Sequence, residues 1–305
     1  MVIFAEEVVS SRREALWWRR LVSKRECLCV GRAGLYLYHT RKAAGTSLRE
    51  VLTRAARKYR VRMWETEGLS VDARFLAMKS AVTVVSVRHP VDRALSLYWY
   101  EHVGWWDGVK KDHSKLRTLS EWIDEWQDGS PWKRNFAEKN PKNVYVEVQN
   151  YFTKMLSAEG DLEKAKLALE RFDVIFVCER SKRPEHLALL SAALNFHVDF
   201  TKAPASNVFD AKPHQRLEAS LAPNISRARQ TLTELNDRDL NFYSFALDLD
   251  DRRTNYYAKK ASLIITPSRH EDAEGTTKEN IVCDTPPARQ LDSVNGIFRP
   301  PGHKH

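Results

Sequence analysis

Hydrophobic positions along this chain fall into short solid runs and longer stripes with helical spacing, the mixture expected of an α/β protein. The run Leu35-Tyr36-Leu37-Tyr38 is made of strand-forming residues. A turn of small residues with two cations follows, His39-Thr40-Arg41-Lys42-Ala43-Ala44-Gly45. Thr46-Ser47 then opens a helix in which Leu48, Val51, Leu52, Ala55, Ala56 and Tyr59 form one apolar stripe. Ser47 and Glu50 have the S-x-x-E spacing of a capping box. Ala81 to Val87 is rich in β-branched residues, as a parallel strand covered on both faces should be. Pro90 suits the first position of the helix after it.

The remaining pattern predicts a surface helix over Ala5–Glu26, a short strand over Val61–Trp64 and a short helix over Ser70–Lys79. It then predicts a helix over Thr118–Trp126 with a Thr118/Glu121 cap, a helix over Asp161–Phe172 and a buried strand over Asp173–Cys178. Helices are expected over Pro184–Leu194, His214–Leu235 and Asp237–Leu247, with a long loop from Val198 to Pro213. Residues 1–30 read as an N-terminal helical extension, 31–250 as the main domain, and 251–305 as a polar, proline-bearing tail that is largely extended or disordered.

Composition narrows this reading. The chain is 43% hydrophobic and 29% charged, ordinary for a soluble globule. Its net charge of +9 favours an anionic partner, but the cations are interspersed with acids, which argues against nucleic acid. No window approaches a membrane span or a signal-peptide core, so a soluble, cytoplasmic chain is expected. Cys27, Cys29, Cys178 and Cys283 include no C-x-x-C pair and no zinc spacing; no metal site and no disulfide scaffold is expected, and Cys178 reads as a buried thiol.

The strand, small-residue turn and helix around Gly45 form an anion cradle, because the first-turn N–H groups and the helix dipole favour negative charge there. A Walker loop would put lysine directly before the Thr-Ser pair, yet Gly45 stands there and the lysine comes earlier, at Lys42. The second strand ends in Arg88, where a magnesium-nucleotide enzyme would use an acid. Two cationic junctions of this kind suit a nucleotide bound without a metal.

At these residues a resemblance emerges. His39-x-Arg41-Lys42-Ala43-Ala44-Gly45-Thr46-Ser47-Leu48-Arg49 resembles the 5′-phosphosulfate loop of the sulfotransferases, in the form of the carbohydrate and heparan-sulfate O-sulfotransferase branch. Val87-Arg88-His89-Pro90-Val91-Asp92-Arg93-Ala94-Leu95-Ser96-Leu97-Tyr98 resembles that family's 3′-phosphate motif. Weaker similarities lie in Asn150–Leu156, in Phe172–Arg180 and in Asn236–Ala246. The resemblance implies a P-loop NTPase-like central parallel sheet flanked by helices, with a helical and aromatic lid. It implies 3′-phosphoadenosine-5′-phosphosulfate (PAPS) as cofactor and no required metal. It places Arg41, Lys42, Ala43, Ala44, Gly45, Thr46 and Ser47 around the 5′-phosphosulfate, and Arg88 and Ser96 on the 3′-phosphate. Lys42 is then also a catalytic residue, touching the bridging oxygen.

The relatives carry a base between the two motifs, where this chain has Trp64-Glu65-Thr66-Glu67-Gly68. Glu67 is the first candidate and Glu65 the second, with a glutamate pKa expected to be raised by crowding; His102 is a rival. His39 reads as structural, and Arg93 as a surface partner of Asp92 or its neighbours. Six of the nine tryptophans lie between Trp99 and Trp132, which suits either a stacking wall or core packing. The acceptor expected is a soluble small molecule or carbohydrate, with no nucleic acid and no membrane anchor. The rival readings are a magnesium-dependent nucleotide kinase or phosphotransferase, and a non-catalytic basic nucleotide- or nucleic-acid-binding protein.

Overall fold

The computed structural model describes residues 2–67, 71, 80–104, 116–127, 147–157, 159–198, 200 and 219–265. Four parallel strands, β1 (Gly34–His39), β2 (Met63–Glu67), β3 (Ala81–Val87) and β4 (Val174–Val177), form a sheet in the order β2-β1-β3-β4. The strands β1, β3 and β4, apolar except for His39, Thr83 and Ser86, are buried along their whole length. Among the described residues β2 pairs only with β1 and ends the strand order; it reads M-W-E-T-E.

Helices cover both faces, as parallel sheets require. On one face Leu35, Leu37, Val82, Val84 and Phe176 pack under α1 (Val2–Cys29), α2 (Gly45–Tyr59) and α7 (Pro184–Leu194). On the other, Tyr36, Tyr38, Val85, Val87 and Ile175 meet α5 (Tyr151–Leu156), α6 (Leu162–Glu170) and α9 (Asp237–Ile265). A third cluster joins α3 (Pro90–Leu97), the π-helical turn Tyr98–Gly104, α4 (Leu119–Gln127) and α8 (Ile225–Leu235) beside the sheet.

α1 is part of the main core: Trp17, Leu21 and Leu28 are buried in it, and Trp17 Nε1 donates to the Asp173 carbonyl at 2.9 Å. The predicted end of the chain's order near Asp250 is corrected, because α9 runs on to Ile265. The charged residues from Asp250 to Arg253 have distant partners. Asp250 accepts from Arg180 at 2.7 Å, Arg252 donates to Glu14 at 2.9 Å, and buried Arg253 donates to the carbonyls of Phe172 and Glu170. Residues 266–305 lie outside the described residues, as do most of the predicted 70–79 helix and 198–213 loop. Cys29 and Cys178 are free thiols, Cys178 half-buried with its pKa pushed up by burial. None of the described helices is long and apolar enough to cross a membrane.

The weaker similarities are structural fasteners. Asn150 N–H donates to Asn236 Oδ1 at 2.9 Å, and Asp239 caps the start of α5 by accepting from the N–H groups of Phe152 (2.8 Å) and Thr153 (2.9 Å). Glu179 accepts from the His89 N–H and the Tyr243 hydroxyl, both at 2.9 Å, which locks β4 to the start of α3.

Candidate functional site

The two predicted junctions are neighbours because β1 and β3 are adjacent in the sheet. Thr40, just past β1, joins them, with its hydroxyl 2.8 Å from Ser86 Oγ and donating to the Ser86 carbonyl. Arg41 N–H donates to the Tyr151 hydroxyl at 2.8 Å, and Arg88 Nη1 donates to the Lys42 carbonyl at 3.1 Å. Lys42 and Ala44 both take left-handed backbone angles, φ 63° and 67°. Each such residue costs about 1–3 kcal/mol and persists only where its surroundings fix it, as these contacts do.

The helix start differs from the sequence expectation. α2 begins at Gly45 with Ala44 as its N-cap and has no side-chain cap, so Ser47 and Glu50 lie inside the helix and form no capping box. The left-handed Ala44 has already turned the chain. The Thr118/Glu121 box does form: Glu121 accepts from the Thr118 N–H at 2.8 Å, and the Thr118 hydroxyl accepts from the Glu121 N–H at 3.3 Å. An uncapped first turn leaves the N-terminus of α2 as an anion-favouring end.

Gly45 is required by close approach rather than by its dihedral angles. A Cβ there would lie 1.7 Å from His39 Cδ2 and 2.0 Å from Nε2. His39 is buried and cannot step aside without breaking its own contacts. Gly45→Ala is therefore expected to cost about 1–3 kcal/mol in thermal unfolding, with part recovered when His39→Ala is added. An unchanged melting temperature in Gly45→Ala would refute this packing.

A cleft of about 250 Å³ opens between the junctions, lined by Lys42, Arg88, Asp92, Leu95, Ser96, Trp99 and Tyr100. It brings together three of the residues predicted to bind cofactor: Lys42 from the turn, Arg88 from the end of β3 and Ser96 from α3. Ala43 is packed in the core, and Ala44, Thr46 and Ser47 are half-buried around the turn, outside the cleft lining. Arg41 points the other way, donating to Glu67 at 3.2 Å.

Glu65 and Glu67 lie on β2 rather than in a loop, because the strand continues past Trp64. Pairing Leu37 with Glu65 and His39 with Glu67 sets both carboxylates on one face at the carboxyl edge of the sheet, outside the cleft. Arg49, one turn into α2, clamps Glu65 through Nε (2.7 Å) and Nη2 (2.6 Å). His39 Nδ1 lies 2.7 Å from Glu65 Oε1 and 2.9 Å from Arg49 Nη2. These two are alternatives, since a protonated Nδ1 donates to Glu65 and an unprotonated one accepts from Arg49. Burial pushes the Glu65 pKa up, but hydrogen bonds from His39 and Arg49 outweigh it and hold the carboxyl below its ordinary value. The expected rise is thus reversed at Glu65. Glu67 is held more loosely, with Arg49 at 3.5 Å and His39 at 3.6 Å beside its Arg41 contact. His39, Glu65 and Glu67 also have the ligand types of a metal triad, but the two arginines already neutralise both carboxylates.

Other candidates separate cleanly. His102 stacks on Tyr98 and accepts the Arg117 N–H at 3.1 Å; burial, then Arg117, brings its pKa down to about 4, so it is a neutral, occupied member of the aromatic cluster. Arg93 is not a surface partner of Asp92. It is buried, with its guanidinium 3.9 Å from the Tyr151 ring centre and donating to the Glu147 carbonyl at 2.5 Å. Asp92 instead accepts from Arg229 at 2.8 Å. Trp122 and Trp126 are core residues while Trp99 reaches the cleft; Trp105, Trp106 and Trp132 lie outside the described residues. Sequence reasoning missed Arg49 and Tyr100. The i, i+3, i+4 spacing of Asp92, Leu95, Ser96, Trp99 and Tyr100 is the signal that could have found the second. No protein-family model matches this chain, and no curated protein matches it.

Proposed function

We propose that this chain is a PAPS-dependent sulfotransferase on a P-loop-like α/β domain, acting on a hydroxyl or amine of a soluble small-molecule or carbohydrate acceptor. The observation that carries this reading is the single cleft in which Lys42, Arg88 and Ser96 meet at the carboxyl ends of adjacent parallel strands, the place where open α/β sheets bind ligands. The donor set fits the cofactor: two cations and a hydroxyl in the cleft, and an uncapped helix start beside it. PAPS, when bound, supplies an activated sulfuryl group.

The chain's own residues then have distinct tasks. Lys42 and the N–H groups of Gly45, Thr46 and Ser47 balance charge on the 5′ side, where negative charge develops during transfer. Arg88 and Ser96 hold the 3′-phosphate. Glu67 takes the proton of the acceptor group, with Arg41 and Arg49 orienting it. Asp92, the carboxylate in the cleft wall, is what a magnesium-nucleotide enzyme would use, but Arg229 occupies it and it lies on α3 rather than at the end of a strand.

Calorimetry separates the readings. The wild-type protein is expected to bind 3′,5′-adenosine bisphosphate without magnesium, and Arg88→Ala to weaken that binding about ten- to a hundredfold, the worth of a charge-assisted hydrogen bond. A preference for ATP with magnesium, or indifference to Arg88, would overturn the proposal.

A further inference from the structure

The ammonium of Lys42 lies 3.4 Å from the centre of the Tyr100 ring, well inside the range over which a ring face attracts a cation. Tyr100 and Trp99 belong to the π-helical turn that continues α3, and Asp92, Leu95, Ser96, Trp99 and Tyr100 form one continuous wall of the cleft. Lys42 comes from the opposite wall. Its backbone is held by Arg88 through the carbonyl, and its side chain meets Tyr100. Lysine has a long flexible stem and a point charge with no directional fork, so its position depends on what it rests against.

We infer that Tyr100 is a positioning residue: its ring holds the Lys42 ammonium in the cleft, so that an anionic ligand meets a cation already in place. Such preorganisation improves binding by removing the cost of ordering the side chain. This rests on the cleft being the nucleotide site proposed above. The hydroxyl of Tyr100 has no part in it; the ring face does.

Two measurements test this. The first needs no ligand. After reductive methylation of the lysines, the Lys42 dimethylamino signal, assigned by its loss in Lys42→Arg, is expected upfield by ring current. It should return to its ordinary position in Tyr100→Leu and stay upfield in Tyr100→Phe. The second is calorimetry with 3′,5′-adenosine bisphosphate. Tyr100→Leu should weaken binding about two- to thirtyfold, Tyr100→Phe should recover most of that, and in a Lys42→Met background Tyr100→Leu should add nothing. An unshifted Lys42 signal in the wild type would overturn the inference. So would a Tyr100→Leu loss that persists in Lys42→Met, which would mean that the ring touches the ligand itself, or tighter binding in Tyr100→Leu, which would mean that the ring withholds the lysine. Failure of the sulfotransferase reading shows separately, as indifference to Arg88→Ala or preference for ATP with magnesium, and the methyl signal still decides the Lys42–Tyr100 contact.

Discussion

Asp173→Ala lowers the stability of the fold by about 3–5 kcal/mol, the usual loss when one partner of a buried ion pair is removed. Asp173 directly precedes β4 and has no exposed surface. Its Oδ2 accepts from Lys24 Nζ at 2.7 Å and from the Thr83 N–H and hydroxyl, both at 2.9 Å; Oδ1 accepts from Arg20 Nε at 3.2 Å. One carboxylate therefore joins α1, β3 and β4. Without it, the buried Lys24 ammonium and the Thr83 N–H lose their counterpart, and a lysine that stays charged in that setting is costly. Asp173→Asn keeps a polar acceptor at the Thr83 side but not the charge, so its loss should be smaller. Urea unfolding reads both, as a drop in midpoint with an unchanged slope. A drop worth under about 0.5 kcal/mol, the scale of a surface substitution, would mean that α1 is an appendage, as the sequence pattern alone suggests.

The parts of the site that could be read from the sequence are those whose partners are local. Leu35–Tyr38 is a solid apolar run and Ala81–Val87 is a mostly β-branched one, so their strands, and the turns at their carboxyl ends, follow from burial on both faces. That the two turns meet depends on the β2-β1-β3-β4 order, which no run of residues encodes. The pattern places this strand over Val61–Trp64 rather than Met63–Glu67, because Glu65 and Glu67 in M-W-E-T-E look like a polar loop until His39, Arg41 and Arg49 are brought to them. Arg93 misleads in the same way. Its neighbour Asp92 suggests a surface pair, while the residues that bury it, Tyr151 and Glu147, arrive from more than fifty positions away.

The two capping patterns show how far a local signature carries. Thr118 and Glu121 make their box because Thr118 directly precedes the first residue of α4. Ser47 and Glu50 do not, because the left-handed Ala44 is the N-cap of α2, three residues before Ser47. An anion turn profits from that difference, since a filled cap would occupy the N–H groups a phosphate or sulfate should take. The charged stretch after Asp250 carries the same lesson in reverse. Asp251, Arg252 and Arg253 read as the start of a polar tail, yet Arg180, Glu14 and the end of α6 turn them into a packed helix.

Glu67→Gln is expected to reduce turnover about 10²–10⁴-fold, the contribution of a positioned general base, and to do so in kcat rather than in the KM for the nucleotide. The choice between the two glutamates follows from how each is held. Glu65 has hydrogen bonds of 2.6–2.9 Å from Arg49 and a 2.7 Å contact with His39, and these keep its pKa below the ordinary carboxylate value. A base works best with a proton affinity near the working pH and an oxygen able to turn toward the substrate, and Glu65 has neither. Glu67, with contacts of 3.2–3.6 Å, can exchange a partner for an acceptor hydroxyl while Arg41 steadies its other oxygen. Glu65→Gln should therefore act through Arg49 and His39, loosening the link between β2, β1 and α2, and lower stability more than it lowers kcat. Steady-state kinetics with PAPS and an acceptor found by screening, set beside urea unfolding of the same variants, distinguishes the two roles. A larger kcat loss in Glu65→Gln would exchange the assignments. Full turnover in both variants would remove the carboxylates from the chemistry, and His102, which already accepts the Arg117 N–H, could not replace them without first breaking that bond.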